Sequence, residues 1–108
     1  MKQTPAPTPA SVDAAVSLLS ALAHPLRLRT LLMLGREGPS SVGSLWERLE
    51  VEQSALSHQL RVLKDHRLVT GTRQGKRVVY ALTDRHVERL VEDALAHAGG
   101  LCLEEEGP

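Results

Sequence analysis

The fold is decided by residues 53–82, QSALSHQLRVLKDHRLVTGTRQGKRVVYAL, in which the spacing of the apolar residues changes half-way along. In the first half, apolar residues recur every three or four positions, which predicts a helix with one buried face. The inward residues are Ala55, Leu56, Leu60 and Leu63. The second half is rich in Val, Thr and Tyr and has Gln74-Gly75 at its centre, which predicts a β-hairpin with a basic tip.

A shorter helix is predicted immediately upstream, from Val42 to Leu49, and a tight turn at residues 50–52 joins it to the longer helix. Two consecutive helices joined in this way form the helix-turn-helix pattern. A β-hairpin that follows such a pair completes a winged helix. The sequence therefore predicts a mainly α fold with a small β-hairpin, a winged helix-turn-helix.

Two further helices are predicted before this unit and one after it. The first is VDAAVSLLSALA, capped by Ser11, and the second, PLRLRTLLML, begins at Pro25 and is followed by a loop, GREGPS. The last helix is capped by Thr83 and ends at Gly99-Gly100. We therefore expect three parts of the chain: a disordered arm over 1–10, one domain over 11–99 and a flexible acidic tail over 100–108.

Composition excludes several classes of protein. A chain of 108 residues suits one compact domain. Its only aromatic residues are Trp46 and Tyr80, too few for a platform that stacks single-stranded bases. The single cysteine, Cys102, excludes an internal disulfide framework and an all-thiolate zinc site within one chain. Because the sequence has neither a signal peptide nor a membrane-spanning run, we expect a cytoplasmic protein with no membrane partner.

The net charge of zero conceals opposite charges in two parts of the chain. Residues 52–77 hold six Lys/Arg against two acidic residues, a net charge of +4. Residues 84–108 hold seven Asp/Glu against two arginines, a net charge of −5. The basic segment predicts binding to a polyanion, whereas the acidic segment is suited to cations.

The second helix of the predicted helix-turn-helix carries the residues expected to read DNA. In such units this helix lies in the major groove, with its N-terminal residues against base edges. The side chains there that donate or accept hydrogen bonds are Gln53, Ser54, Ser57, His58, Gln59 and Arg61. Arg73, Lys76 and Arg77 on the hairpin are placed to reach a minor groove or phosphates. This ordered combination favours double-stranded DNA as the partner over a merely solvated helix face.

Three segments resemble the ArsR/SmtB family of bacterial metal-sensing repressors: ALAHPLRLRTLLML, SALSHQLRVLKDHRLVTGTRQGKRVVYALTD and the helix beginning DRHV. The likeness extends over residues 21–98 and is greatest to the branch that senses zinc through its last helix. It implies a homodimeric winged-helix repressor that leaves its operator DNA when metal binds. The family often has Ser or Thr where this chain has Glu52, a carboxylate that suits the helix dipole but would repel a nearby phosphate.

His86 and His97 lie on one side of the last helix but far apart. They are 11 residues apart, close to three turns and ~16 Å along the axis, so they cannot share a metal ion within one chain. If two copies of the helix pack antiparallel, His86 lies opposite the partner's His97 at both ends of an isologous interface. The stripe expected to hold the two copies together is Val87, Leu90, Val91, Ala94, Leu95 and Ala98. The first helix carries a similar stripe, Val12, Ala15, Val16, Leu19 and Leu22, so dimerisation is expected through both helices.

Asp84 completes the expected metal site. The zinc-sensing branch has Asp-x-His, ten residues and then a His, so the resemblance implies Asp84 and His86 from one chain with His97 from the other. Imidazole and carboxylate ligands favour zinc, cobalt or nickel over soft monovalent ions, and the resemblance to the zinc-sensing branch implies zinc as the first of the three. The branch's fourth ligand falls on Gly100, which cannot bind a metal, and leaves that place open to water, Cys102 or a tail carboxylate from Glu104 to Glu106.

Two alternatives to metal sensing remain open. The protein is then a winged-helix regulator without a sensor, or one that senses oxidants or sulfur species through Cys102. A second site in the family uses a cysteine where this chain has Ser41, so no thiolate site is expected there. No nucleophile–base pair, Gly-rich phosphate loop or paired carboxylate spacing indicates an enzyme.

Overall fold

The computed structural model describes residues 5–99, which form helices and one antiparallel sheet. The elements are α1 Pro9–Leu22, α2 Pro25–Glu37, β1 Ser40–Ser41, α3 Val42–Leu49, α4 Gln53–Asp65, β2 Val69–Gln74, β3 Arg77–Leu82 and α5 Arg85–His97. The helices α3 and α4 form the helix-turn-helix, and the hairpin β2–β3 forms the wing. The predicted winged helix-turn-helix fold is confirmed.

The core is built almost entirely from leucine and valine. Leu56, Leu60 and Leu63 of α4 are at most 1% exposed and pack with Leu31 of α2 and Leu45 of α3. The inward leucines predicted from the spacing of α4 are therefore confirmed. The one buried polar side chain in the described chain is that of Thr30, whose hydroxyl donates a 2.7 Å hydrogen bond to the Leu26 carbonyl within α2.

The turn between α3 and α4 is held by a side chain as well as by the backbone. The indole N–H of Trp46 donates to the Val51 carbonyl at 2.7 Å. Glu50 ends α3 in the left-handed region, with φ at 53°. At the other end of α3, the Ser41 hydroxyl accepts from the Ser44 N–H and caps the helix. These contacts fix the angle at which α4 leaves the turn.

The wing is a hairpin with a two-residue loop. The register pairs Val69 with Leu82 at its base and Gln74 with Arg77 at its tip. Gly75 opens the loop with φ at 66°, which a glycine adopts without strain. A third strand, β1, pairs with β3 and places Ser40 opposite Tyr80. This strand is two residues long and was not predicted, because the segment GREGPS was expected to be a loop.

Three predicted helix ends are wrong by a few residues. The helix α1 begins at Pro9 and is capped by Thr8, while Ser11 is the reciprocal partner in a capping box. The helix α2 continues to Glu37, into the predicted loop. The helix α5 is capped by Asp84 instead of Thr83, because the Thr83 hydroxyl is bonded to the Arg67 carbonyl. None of the described helices combines the length and apolar composition that crossing a membrane requires.

We expect Glu50→Gly to stabilise the fold by about 0.5–1 kcal/mol, because glycine adopts a positive φ without the steric cost that a Cβ brings. The measurement is urea unfolding at fixed protein concentration. The matched control is Glu47→Gly inside α3, which should destabilise by about 1 kcal/mol. Equal losses at both positions would show that the φ of Glu50 costs nothing.

Candidate DNA interface and metal site

The helix α4 presents one polar face to solvent. Gln53, Ser54, Ser57, His58 and Arg61 are all exposed on it, while the leucines on the opposite face lie in the core. The helical repeat explains this separation, since the five residues project within less than half of the helix circumference. Five of the six predicted base-reading residues therefore share one accessible surface.

Gln59 lies apart from this face. It is half-buried, and its side-chain oxygen is buried with no hydrogen-bond partner among the described residues. The sequence contains a signal for this placement. Gln59 is three residues after Leu56 and four before Leu63, so the helical repeat sets it beside the buried side chains.

The tip of the wing adjoins the start of α4. Arg73, Lys76 and Arg77 are exposed, as predicted. One surface hollow is lined by Gln53 together with Lys76 and Arg77, and by the first turn of α3. The tip of the wing and the start of α4 therefore adjoin in one surface that is basic on the wing and polar on the helix.

Glu52 occupies the N-cap position of α4 but makes no side-chain hydrogen bond to the helix. Asp, Asn, Ser and Thr reach the free N–H groups of the first turn, whereas the longer glutamate side chain does not do so here. The first turn of α4 is left without a side-chain cap, and a negative charge lies beside the exposed polar face.

Asp84 and His86 are neighbours at the start of α5. One carboxylate oxygen of Asp84, Oδ1, accepts from the His86 N–H at 2.9 Å and from the Val87 N–H at 3.3 Å. The same oxygen lies 3.5 Å from Nδ1 of His86, whose side chain is 89% exposed. The second oxygen of Asp84 and Nε2 of His86 make no hydrogen bond within residues 5–99, so this pair has donors to offer a metal ion.

His97 is the last residue of α5 and is exposed. In the described part of one chain, no group of three His, Cys, Asp or Glu residues is close enough to hold a metal. This agrees with the helical spacing, which separates His97 from His86 by three turns. Gly100, Cys102 and the tail carboxylates lie outside the described residues.

Fewer residues of α5 are available for a dimer interface than its apolar stripe predicts. Val87 and Val91 are buried inside their own chain and pack against its core. Leu90 is half-buried, and Ala94 and Ala98 are exposed. The sequence stripe combined two neighbouring faces, one directed to the core and one to solvent.

The segment that leads into α5 contacts the end of α4. The Thr83 hydroxyl donates to the Arg67 carbonyl at 2.8 Å, and the Thr83 N–H donates to the Leu68 carbonyl at 3.1 Å. Arg67 has a positive φ of 60° just after α4 ends. Thr83, the residue before Asp84, is thus hydrogen-bonded to the two residues that follow shortly after α4. The sequence predicts Thr83 as the cap of α5 and carries no signal for this contact.

Comparison with known proteins identifies the family. Residues 24–70 match the profile of the family described as bacterial regulatory protein, arsR family. The HTH-type transcriptional regulator NmtR of Mycobacterium tuberculosis is 49% identical over 87 residues, which are 81% of this chain and 72% of NmtR. The chain belongs to the ArsR/SmtB family.

Other members of the ArsR/SmtB family agree with this assignment. The HTH-type transcriptional repressor SmtB of the same organism is 46% identical over 96 residues, 88% of this chain and 70% of SmtB. Among solved structures, a homodimeric winged helix-turn-helix DNA-binding domain from Mycobacterium bovis superposes with a TM-score of 0.75 at 26% identity and covers 91% of this chain and 90% of that chain. The protein is therefore a transcriptional regulator with a DNA-binding winged helix, and its relatives are not enzymes.

We expect Glu52→Ser to stabilise the protein by about 1 kcal/mol, because a serine hydroxyl reaches the free N–H groups at the start of α4. DNA affinity should rise as well, since a carboxylate is removed beside the polar face. Thermal unfolding and binding to duplex DNA measure the two effects. The control, Glu47→Ser, makes the same change in net charge on α3. If both variants gain DNA affinity equally, the position of Glu52 has no special effect.

Proposed function

We propose that the protein is a homodimeric repressor that binds operator DNA through α4 and the wing and releases it when a divalent metal binds between the two α5 helices. Zinc is the first candidate, with cobalt or nickel as alternatives. The observation that carries the proposal is the pair of free donors on Asp84 and His86, with His97 exposed on the same side of the same helix.

In the proposed complex, α4 lies in the major groove and its exposed residues face the base edges. These are Gln53, Ser54, Ser57, His58 and Arg61. Gln59 is half-buried on another side of α4 and is left out of this proposed contact. Arg73, Lys76 and Arg77 bind the DNA backbone or a minor groove beside the helix.

A dimer is supported by the uncovered side of α1. Val12, Val16 and Leu19 are 49–56% exposed there, an unusual arrangement for three large apolar residues on one helix. The homodimeric neighbour from Mycobacterium bovis has the same fold. A two-fold pair would bury α1 and the outer side of α5 and present two α4 helices to half-sites ~34 Å apart.

The metal site requires this pair. In antiparallel packing with His86 opposite the partner's His97, facing residue numbers sum to 183 and the axis passes near Val91 and Glu92. Each end then gathers Asp84 and His86 of one chain with His97 of the other. A bound metal ion would supply a cross-link between the two helices. The fourth position is left to water or to a donor from residues 101–108.

Thermodynamic linkage relates the binding of metal to the binding of DNA. If metal weakens DNA binding, the DNA complex must bind metal less tightly by the same factor. The two chains must therefore adopt different relative positions with metal and with DNA. The bond from Thr83 to the Arg67 carbonyl carries a movement at the start of α5 to the end of α4, because the two segments share this contact.

The inter-chain site predicts complementation between two inactive variants. His86→Ala and His97→Ala homodimers should each bind cobalt poorly, since both of their sites lack a histidine. In the mixed dimer, one site has lost both histidines and the other keeps a complete pair. The mixture should therefore recover one cobalt ion per heterodimer, measured by the visible absorption of the bound ion.

The control for this experiment is His97→Ala mixed with a differently tagged His97→Ala, which should recover nothing. A site within one chain cannot produce recovery, because neither chain retains both histidines. Recovery that fails although native gels show heterodimers would contradict the antiparallel pairing. Loss of DNA binding by metal-free His97→Ala would contradict the separation of the two sites.

Thr83→Val should uncouple metal from DNA, because it removes the hydroxyl that bonds to the Arg67 carbonyl and keeps the branched shape. We expect metal affinity within about twofold of wild type and a fall in the coupling free energy of about 1 kcal/mol. DNA affinity measured with and without zinc gives this quantity. Thr83→Ser keeps the hydroxyl and should behave as wild type. Full coupling in Thr83→Val would exclude this route.

A further inference from the structure

A second hollow lies between α4 and the base of the wing, and it brings Ser57 and Arg61 of the polar face together with two residues that have no role so far, Lys64 and Tyr80. Its walls are the exposed polar and basic residues Ser57, Arg61 and Lys64 of α4 and the half-buried Tyr80 of β3. Val42 and the buried Leu60 form its apolar floor. Lys64 and Tyr80 were not among the residues expected to bind DNA.

The position of this hollow has a topological consequence. A major groove and the neighbouring minor groove are separated by one sugar–phosphate strand. If α4 occupies the major groove and the tip of the wing reaches the minor groove, that strand must cross the gap between the two elements. The hollow lies in this gap, because α4 forms one wall and β3 the other.

The charges in the hollow are available to an anion. The ion pairs within 4 Å in the described chain are those of Arg48 with Glu37 and of His86 with Asp84, so neither Arg61 nor Lys64 is neutralised by a neighbouring carboxylate. The two side chains are three residues apart and therefore adjoin on the helix surface. Ser57 and Tyr80 also line the hollow, and each carries a hydroxyl, a group that donates hydrogen bonds to phosphate oxygens.

The ring of Tyr80 packs closely over Gly71 of the opposite strand. Gly71 faces it across the hairpin, and a Cβ at Gly71 would lie 3.0 Å from Cε1 of Tyr80. No larger residue fits at Gly71 without moving the ring. The position of the Tyr80 hydroxyl is therefore set by the hairpin, while Lys64 reaches the hollow from the helix.

We propose that Lys64 and Tyr80 bind one phosphate of the DNA strand that crosses between α4 and the wing, with Arg61 and Ser57 as its further partners. This inference rests on the proposed docking of α4 in the major groove. The contact is independent of base sequence and sets how deeply α4 enters the groove. Lys64 supplies a charge and Tyr80 a neutral donor, so the two residues affect binding in different ways.

The test compares Lys64→Gln and Tyr80→Phe in binding to two 30-base-pair duplexes, one of random sequence and one selected from a random pool by the wild-type protein. Lys64→Gln should weaken both by the same factor, on the order of fivefold, and should flatten the salt dependence by about 0.9 in the log–log slope. Tyr80→Phe should weaken both to a similar degree and leave the slope unchanged, because the hydroxyl is uncharged.

The matched control is Arg36→Gln, which removes an exposed positive charge from the last turn of α2, outside the hollow. Its slope should stay that of the wild type. A methylphosphonate placed in turn at each backbone position of the selected duplex identifies the phosphate. It should weaken the wild type most at one position per half-site, and the loss at that position should be smaller for Lys64→Gln, which retains only the contacts of Arg61, Ser57 and Tyr80.

Equal slopes for Lys64→Gln and wild type, with DNA binding retained, would overturn the phosphate contact and leave the proposed function intact. An equal loss for Arg36→Gln and Lys64→Gln would also overturn it, because net charge alone would then explain the effect. Failure of the wild type to bind either duplex would instead overturn the proposed function itself.

Discussion

The packing of α4 through Leu56, Leu60 and Leu63 is the constraint on which the remaining structure depends. These side chains are at most 1% exposed, and they lock the rotation of the helix about its axis. A different rotation would bury serine and arginine and expose leucine, at a cost of several kcal/mol for each buried group left without a partner. The polar face, the hollow beside the wing and the tie to Thr83 all follow from this one orientation.

The sequence predicts most accurately those elements whose apolar residues are spaced to pack against the core. The bounds of α3 and the inward face of α4 follow from apolar spacing, and the structure reproduces both. Helix caps were harder, because Thr83 and Asp84 are both good caps and the choice depends on a distant acceptor, the Arg67 carbonyl. The strand β1 is two residues long and carries no periodicity, so only its pairing with β3 reveals it.

The candidate sites differ in whether all of their residues come from one chain. The polar face of α4 is complete within one chain. Gln59 lies outside this face, and the spacing of the leucines around it predicts its half-buried position. The proposed metal site needs a second chain, because the structure of one chain brings together Asp84 and His86 and leaves His97 apart. The burial of Val87 and Val91 was hidden from the sequence, because one stripe served both the core and the outer side of α5.

The two carboxylate oxygens of Asp84 differ in their contacts. Oδ1 caps the start of α5, whereas the other oxygen makes no hydrogen bond within residues 5–99. In the proposed metal site, this sharing constrains how metal sensing can be lost in evolution. Replacement of Asp84 by alanine would remove a proposed metal ligand and uncap a helix in a single step, at a cost of about 1 kcal/mol to the fold. Asparagine, serine and threonine keep the cap and weaken only the ligand. Under the proposed function, lineages that abandon metal sensing should therefore pass through these three residues, and a helix cap without a carboxylate at this position would identify a relative that binds DNA without responding to metal.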